Sequence, residues 1–339
     1  MRRRALLANL GSVTALGLAG CLGGVAPGSD DTARPPTDSP TDHSSTDDTP
    51  TGDTPAQPDP DVGVPSDESD CPVSDTDATV RVVCTPPGGS PPGGTGLTPT
   101  AETVALPTDT VGFTLSNATD TRLDTNFYAW KVWKRVDGDW FHVAPRYWNV
   151  PLMQLAPGES HRWTLTVDNT DLDGRLPRAG GVEEVTVAGL GGGEYAFGTD
   201  GWFASASHER KTAFAARFSV AGPQLDLTPT DEVTGTARDG DSVTVRTDVA
   251  STEDTRRCAF RVTRADGGTA VDRHRITEQL LRDRRFRNTL PFFESGVETV
   301  SLVEPNGVRP PFGVTDPFVV GYEGARYRVR AEEIGATTA

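Results

Sequence analysis

Residues 113–145 read FTLSNATDTRLDTNFYAWKVWKRVDGDWFHVAP, and this stretch decides the fold class. Apolar and polar side chains alternate across its start, at residues 111–117, and again at residues 163–167 and 214–220. A period of two is typical of a strand that buries one face. Turn signals such as the Asp-Gly pair at 137–138 separate these runs. Short strands at this spacing predict a mostly β protein that contains a β-sandwich.

The order of these segments resembles the immunoglobulin-like domains of prokaryotic surface lipoproteins. A strand ends in Asn117, a kinked strand reaches the turn at 137–140, a Pro-Gly-Glu turn at 157–159 precedes the next strand, and a glycine-led strand carries Tyr195. The resemblance covers about residues 98–221. It implies an immunoglobulin-like β-sandwich that serves as a binding or structural module, and it supplies no catalytic residues.

The N-terminus carries the pattern of an export signal. Residues 1–20 place arginines before a short apolar run, which is the layout of a signal peptide. Arg3 and Arg4 fit the twin-arginine export pattern. LAGC at residues 18–21 resembles the lipobox of lipoproteins, which implies that Cys21 carries a lipid anchor. We therefore expect the protein on the extracellular face of the cell membrane; a plain signal peptide with an incidental cysteine is the alternative.

Residues 21–77 predict a disordered acidic tether, rich in Thr, Pro and Asp and without a hydrophobic period. Such a composition buries too little apolar surface to offset the entropy of ordering the chain. The whole protein has 48 acidic and 32 basic residues, a net charge of −16, and far more arginine than lysine. Together with the lipobox, this composition resembles that of a secreted protein from a halophilic archaeon.

Two β-rich domains are predicted after the tether, at residues 78–222 and 223–336. The second shows further alternating runs and one helical segment, ITEQLLRDRRF, at residues 276–286. The apolar residues Ile276, Leu280 and Leu281 share one face of that helix. We expect a second small β-sandwich with one short helical insertion.

The cysteines fit an exported protein. With Cys21 lipidated, Cys71, Cys84 and Cys258 remain. Cys71 and Cys84 bracket a short loop, and a disulfide between them would fasten the tether to the first strand. Cys258 alternates in step with Phe260 and Val262, whose side chains are expected to face the core. It is therefore predicted to be a buried free thiol. A bridge between Cys84 and Cys258 is the alternative.

The run from residue 127 to 136 supplies the candidate binding face. Trp130 falls on the predicted core face, whereas Trp133, Lys131 and Arg135 fall on the other. An exposed tryptophan beside two cations would suit an envelope protein or a glycan. Alternatively, a neighbouring element covers Trp133, because most large aromatic residues are covered.

Other candidate sites are weaker. Asn117 begins a sequon at the end of a strand, where we expect an exposed glycosylation acceptor. The acidic loop at 169–174 matches the first half of a calcium loop but lacks its closing glutamate, so an acidic turn is the alternative. The histidines show no zinc spacing, and we expect no metal, cofactor or catalytic residue. One short basic cluster, at 282–287, in an acidic chain argues against nucleic acid.

These patterns predict a lipid-anchored surface protein that acts as a non-catalytic binding or structural module. One alternative is an accessory, substrate-presenting subunit of a membrane transporter or enzyme. Another is an enzyme whose site lies between the two domains. A binding role predicts an exposed aromatic patch, whereas an enzyme predicts a polar interdomain cleft with perturbed carboxylates or histidines.

Overall fold

The computed structural model describes residues 60–73 and 77–335. The predicted signal peptide, Cys21 and most of the predicted tether lie outside the described residues. Within them, strands are numerous and helices are few and short, so the fold class is mostly β, as the alternation predicted. None of the helices in this described part is long and apolar enough to cross a membrane.

Two sheets make up the first half of the fold. In chain order its strands are β1 (Val64–Pro65), β2 (Thr79–Thr85), β3 (Gly96–Pro99), β4 (Thr103–Ala105), β5 (Thr108–Ser116), β6 (Leu123–Thr125), β7 (Lys131–Val136), β8 (Asp139–Ala144), β9 (Met153–Leu155), β10 (Ser160–Asp168), β11 (Glu184–Val187), β12 (Gly193–Phe203) and β13 (Lys211–Ala221). Sheet A has the order β1-β2-β13-β12-β6-β9, with β4 beside β13 and the β7–β8 hairpin beside β12. Sheet B has the order β11-β10-β5-β3. Most neighbours are antiparallel, and β13 pairs in parallel with β2 and β4.

Sheets A and B face each other across an aromatic core. Phe113 of β5 stacks on Phe197 of β12 with ring centroids 4.4 Å apart. Trp130 and Trp163 pack against the same Phe197 ring, and both tryptophans are fully buried. Their indole N–H groups donate to the backbone carbonyls of Gly181 and Phe127, at 3.0 and 2.9 Å. Buried indoles need such a partner, and the prediction that Trp130 faces the core is confirmed.

The second half is one sheet with helices over one face, rather than the expected second sandwich. Sheet C contains β14 (Val233–Asp239), β15 (Ser242–Thr247), β16 (Arg256–Arg264), β17 (Arg273–His274), β18 (Thr299–Asn306), β19 (Phe318–Tyr322) and β20 (Ala325–Glu333). Their spatial order is β14-β15-β18-β16-β20-β19-β17. Phe260 of this sheet meets Phe286 and Phe312 edge-on, at 5.4 and 5.7 Å. The helical segments supply the cover that a second sheet would otherwise give.

The single predicted helix at 276–286 is two short helices. They are α1 (Thr277–Leu281) and α2 (Arg284–Arg287), separated by Asp283 in an extended conformation. The Asp283 carboxylate accepts a hydrogen bond from the Arg285 backbone N–H at 3.2 Å and so caps α2. The segment that contains α1 packs on both cores, because Ile276, directly before α1, belongs to the sandwich core and Leu280 of α1 to the core of sheet C. The two halves consequently form one compact unit.

The folded region begins inside the segment predicted to be a disordered tether. Val64 pairs with Val82 in an antiparallel ladder between β1 and β2. Cys71 is buried against Val82 and Ala213 on the outer face of sheet A. Backbone pairing and apolar burial together order this end of the tether, although its composition is polar.

Candidate functional site

The predicted binding face is covered. Trp133 has only 5% of its surface exposed. Its ring lies 6.0 Å from the His142 ring of β8 and packs directly on Gly198 of β12. A Cβ at Gly198 would lie 3.1 Å from the indole, so the glycine permits this close approach. The exposure predicted for Trp133 is wrong, and the alternative of a covering element is correct.

The two cations beside Trp133 are also engaged. Lys131 is buried, with its ammonium 3.6 Å from the Asp200 carboxylate and 4.5 Å from the centre of the Trp148 ring. Arg135 makes a two-pronged ion pair with Asp70, at 2.8 and 3.0 Å. Asp70 lies in the folded end of the predicted tether. The segment that contains Asp70, together with Trp148, therefore covers the face of β7 that the alternation pattern predicted to be exposed.

The structure contains the disulfide between Cys71 and Cys84, with Cα atoms 5.8 Å apart. It holds Asp70, the neighbour of Cys71, over the outer face of sheet A. Cys258 is a fully buried free thiol, and burial raises its pKa.

Asn117 is fully buried rather than exposed. Its amide nitrogen donates to the carbonyls of Thr121 and Leu155, at 2.9 and 3.1 Å. Its amide oxygen accepts from the Thr119 hydroxyl at 2.7 Å. The expectation of an exposed glycosylation acceptor is wrong for the folded protein, because this side chain ties the end of β5 to the neighbouring loops.

The acidic loop at 169–174 is filled by an arginine. The buried Arg287 guanidinium donates to the carbonyls of Leu172, Gly174 and Thr228, the last two at 2.7 and 2.8 Å. Burial lowers the pKa of Arg287. No cluster of three metal-ligating side chains occurs among the described residues. The carbonyl oxygens that a cation would use already bind a guanidinium from α2.

A buried ion pair fixes α1 to the sandwich. The Lys134 ammonium lies 2.6 Å from the Glu278 carboxylate, and both side chains are almost fully buried. Glu278 also accepts from the Gly191 N–H at 3.2 Å, and Lys134 donates to Gln224 at 2.9 Å. A buried pair is tolerated when its remaining hydrogen bonds are satisfied in this way. Sequence reasoning missed this pair, because its members lie 144 positions apart.

The pair lines a cleft of about 460 Å³ between the halves. Its walls include Tyr322, whose hydroxyl lies 3.1 Å from that of Thr277. Burial raises the pKa of Tyr322. Tyr195, behind the ion pair, also has a pKa raised by burial and by the charge of Glu278. Both phenols therefore stay protonated at neutral pH, and Lys134 and Glu278 neutralise each other.

The basic cluster at 282–287 points inward. Arg282 donates to the backbone carbonyls of Ala188 and Gly189 and is buried, which lowers its pKa to about 10. Arg284 makes a two-pronged pair with Glu304. These arginine contacts connect α1 and α2 to the sandwich and to sheet C.

Two adjoining cavities lie along the outside of α1 and α2. Their volumes are about 410 and 560 Å³, within the range of small-ligand sites. They share five lining residues, namely Arg146, Tyr147, Arg282, Asp283 and Arg285. We call the two cavities together the arginine groove. It was not predicted from the sequence, because its walls come from separate segments of the chain.

Several guanidinium groups in the arginine groove have no carboxylate partner, meaning a carboxylate at ion-pair distance, among the described residues. Arg146 donates only to the Arg282 carbonyl, at 3.2 Å. Arg273 lies over the Phe318 ring at 5.0 Å. Arg275 is half-buried, and its pKa is lowered by burial, Arg273 and Arg146, although the more distant Asp283 carboxylate raises it. The Asp283 carboxylate is already bound by Arg285.

An exposed apolar loop borders the arginine groove between β8 and β9. Tyr147 is 77% exposed and Trp148 is 38% exposed. Val150 and Leu152 continue this exposed apolar segment. His142 lies in the same wall; burial and Lys131 lower its pKa to about 4, so its ring is neutral at neutral pH. The groove therefore combines unpaired guanidinium groups with accessible aromatic rings.

No protein-family model matches this chain, and no similar chain is found among curated proteins.

Proposed function

We propose that this protein is a lipid-anchored surface protein that binds its partner without catalysis through the arginine groove. The observation that carries the proposal is the lack of carboxylate partners for Arg146, Arg273 and Arg275 in a strongly acidic protein. Outside the arginine groove, described cations such as Arg135 and Arg217 bind carboxylates. An anionic partner would supply what these three arginines lack.

Binding fits the titratable groups of the arginine groove better than catalysis does. Arg285 holds both oxygens of Asp283, and this interaction lowers the pKa of Asp283 despite its burial. Asp283 is thus ionised at neutral pH and serves as a ligand of Arg285. His142 is neutral because its pKa is lowered. Neither group is poised near neutral pH, as a general acid or base would be.

The signals at residues 1–21 support a position outside the cell. The lipobox resemblance implies a lipid on Cys21, and the disulfide between Cys71 and Cys84 suits an oxidising compartment. A Cys21→Ser variant should leave the membrane fraction and enter the medium, as measured by fractionation and immunoblotting. Retention of this variant at the membrane to the same extent as wild type would contradict lipid anchoring at Cys21.

Cross-linking with mass spectrometry on intact cells tests the binding role. Wild type should give one dominant partner, with cross-links close to residues 146–148. The double variant Tyr147→Ala, Arg275→Gln should lose that partner. Arg328→Gln is the matched control, because Arg328 is exposed on β20, away from the arginine groove. Scattered cross-links that the double variant leaves unchanged would contradict the proposal.

A further inference from the structure

We propose that the arginine groove binds a linear acidic polysaccharide, a chain of sugar rings that carry carboxylate or sulfate groups. This inference rests on the proposed binding function and specifies the class of its ligand. Three features of the groove support it: its two-part shape, its unpaired guanidinium groups and its exposed aromatic rings.

The shape suits a ligand made of repeated units. The two cavities adjoin, because Arg146 and Tyr147 line both of them. Arg273, Arg275 and Trp148 line only the first cavity, whereas Arg175 and Arg178 line only the second. A chain that crosses Arg146 would place successive units in cavities of about 410 and 560 Å³.

The cations are distributed along this path. Arg273 and Arg275 lie at the first cavity, Arg146 between the two, and Arg178 at the second. Arg178 is exposed, and Arg146, Arg273 and Arg275 have no carboxylate partner in the described part of the chain. Guanidinium groups bind carboxylate and sulfate oxygens through paired N–H donors. A ligand with one oxyanion for every ring or two would engage them in succession.

The aromatic rings favour sugars over other anionic chains. Tyr147 and Trp148 present flat apolar surfaces beside the cations, and the C–H face of a sugar ring packs well on such a surface. Lys131 lies 4.5 Å from the centre of the Trp148 ring and is itself held by Asp200. This contact orders the ring before a ligand arrives, which lowers the entropy cost of binding. An acidic polypeptide would use the guanidinium groups but would gain less from the two rings.

Titration calorimetry on the full-length lipidated chain in detergent micelles tests this inference. The probes are hexagalacturonate, its fully methyl-esterified form, a sulfated galactose hexasaccharide and hexaglutamate. We expect hexagalacturonate or the sulfated hexasaccharide to bind, and whichever binds more tightly identifies the oxyanion. The methyl ester, which keeps the rings and loses the charges, should bind at least about tenfold more weakly. Hexaglutamate, which keeps the carboxylates and loses the rings, should also bind at least about tenfold more weakly.

Variants locate the binding. Arg275→Gln and Trp148→Ala should each weaken binding of the preferred saccharide by about tenfold, and Arg328→Gln should leave it unchanged. Thermal unfolding of each variant verifies that it is folded. Because Trp148 contacts Lys131, Tyr147→Ala provides a second test of the aromatic surface with less risk to folding.

Three results would overturn the inference. Equal or tighter binding of hexaglutamate would assign the groove to an acidic polypeptide, which keeps the proposed function and rejects the saccharide. Saccharide binding that Arg275→Gln leaves unchanged would place the site elsewhere. Failure of all four probes to bind would reject an anion-binding groove, and the cross-linking experiment would then show separately whether a partner exists.

Discussion

Arg135 and Arg275 lie on different surfaces of the molecule and have opposite environments. Arg135, on the outer face of sheet A, is bound by Asp70 from the start of the folded region. Arg275, in the arginine groove, is influenced by Arg273 and Arg146, and the Asp283 carboxylate that also acts on it is bound by Arg285. Cations beside aromatic rings occur at both places. The difference shows that residue type does not identify a ligand face; what matters is whether the protein itself already supplies the opposite charge.

The largest expected effect comes from breaking the buried ion pair between Lys134 and Glu278. Glu278→Ala leaves the Lys134 ammonium buried without its carboxylate. We expect a loss of about 3–5 kcal/mol in the free energy of unfolding, measured by urea denaturation. The double variant Lys134→Met, Glu278→Leu should recover most of this loss, because it removes both charges. Equal stability of Glu278→Ala and wild type would show that the pair does not hold α1 in place.

The second-largest effect is expected from loss of the disulfide that holds Asp70 over Arg135. Replacing both Cys71 and Cys84 by serine removes a crosslink between residues 13 positions apart. We expect a loss of about 3 kcal/mol in unfolding free energy from the restored entropy of the unfolded chain. Hydrogen exchange should rise in residues 60–73, where Asp70 binds Arg135. Unchanged exchange there would show that the disulfide is dispensable for covering this face.

Acid should lower the stability of the protein through His142, which lies in the wall of the arginine groove. His142 has its pKa lowered from 6.5 to about 4 by burial and by Lys131. A histidine with a lowered pKa contributes stability that is complete above its unfolded-state pKa and is lost as pH falls from about 6.5 toward about 4. The loss should reach at most about 3 kcal/mol, measured by urea denaturation across that range. A His142→Gln variant should show a flatter pH profile; an identical profile would exclude His142 as the source.

The smallest effect is expected in the arginine groove itself. Arg275→Gln removes a half-buried cation that has two like charges nearby and no carboxylate partner in the described chain. The free energy of unfolding should change by less than about 0.5 kcal/mol. A loss of more than about 2 kcal/mol would mean that Arg275 serves the fold rather than a ligand. Arg135 and Arg275 would then both serve the fold, and the difference between them would not mark a ligand site.

Local patterns predicted the elements well where one physical cause dominates. Alternation placed Trp130 in the core, and the core parity of Cys258 matches its burial in sheet C. The helix at 276–286 was predicted in place but not its interruption, because the capping strength of Asp283 competes with the helical period. The prediction of a second sandwich was wrong. A strand with one buried face has the same alternating sequence whether a sheet or a helix covers that face.

The sequence by itself determined the mostly β class and the core-facing residues of strands such as β10, and its residues 1–21 carry the pattern on which the proposed lipid anchor rests. These follow from side-chain period and from short local signals. Only the tertiary structure decided that Asp70 covers Arg135, that Arg287 fills the acidic loop, and that Arg275 has no carboxylate partner in the described chain. The reason is that parity fixes the direction of a side chain, whereas its partner comes from a distant segment that only folding brings near.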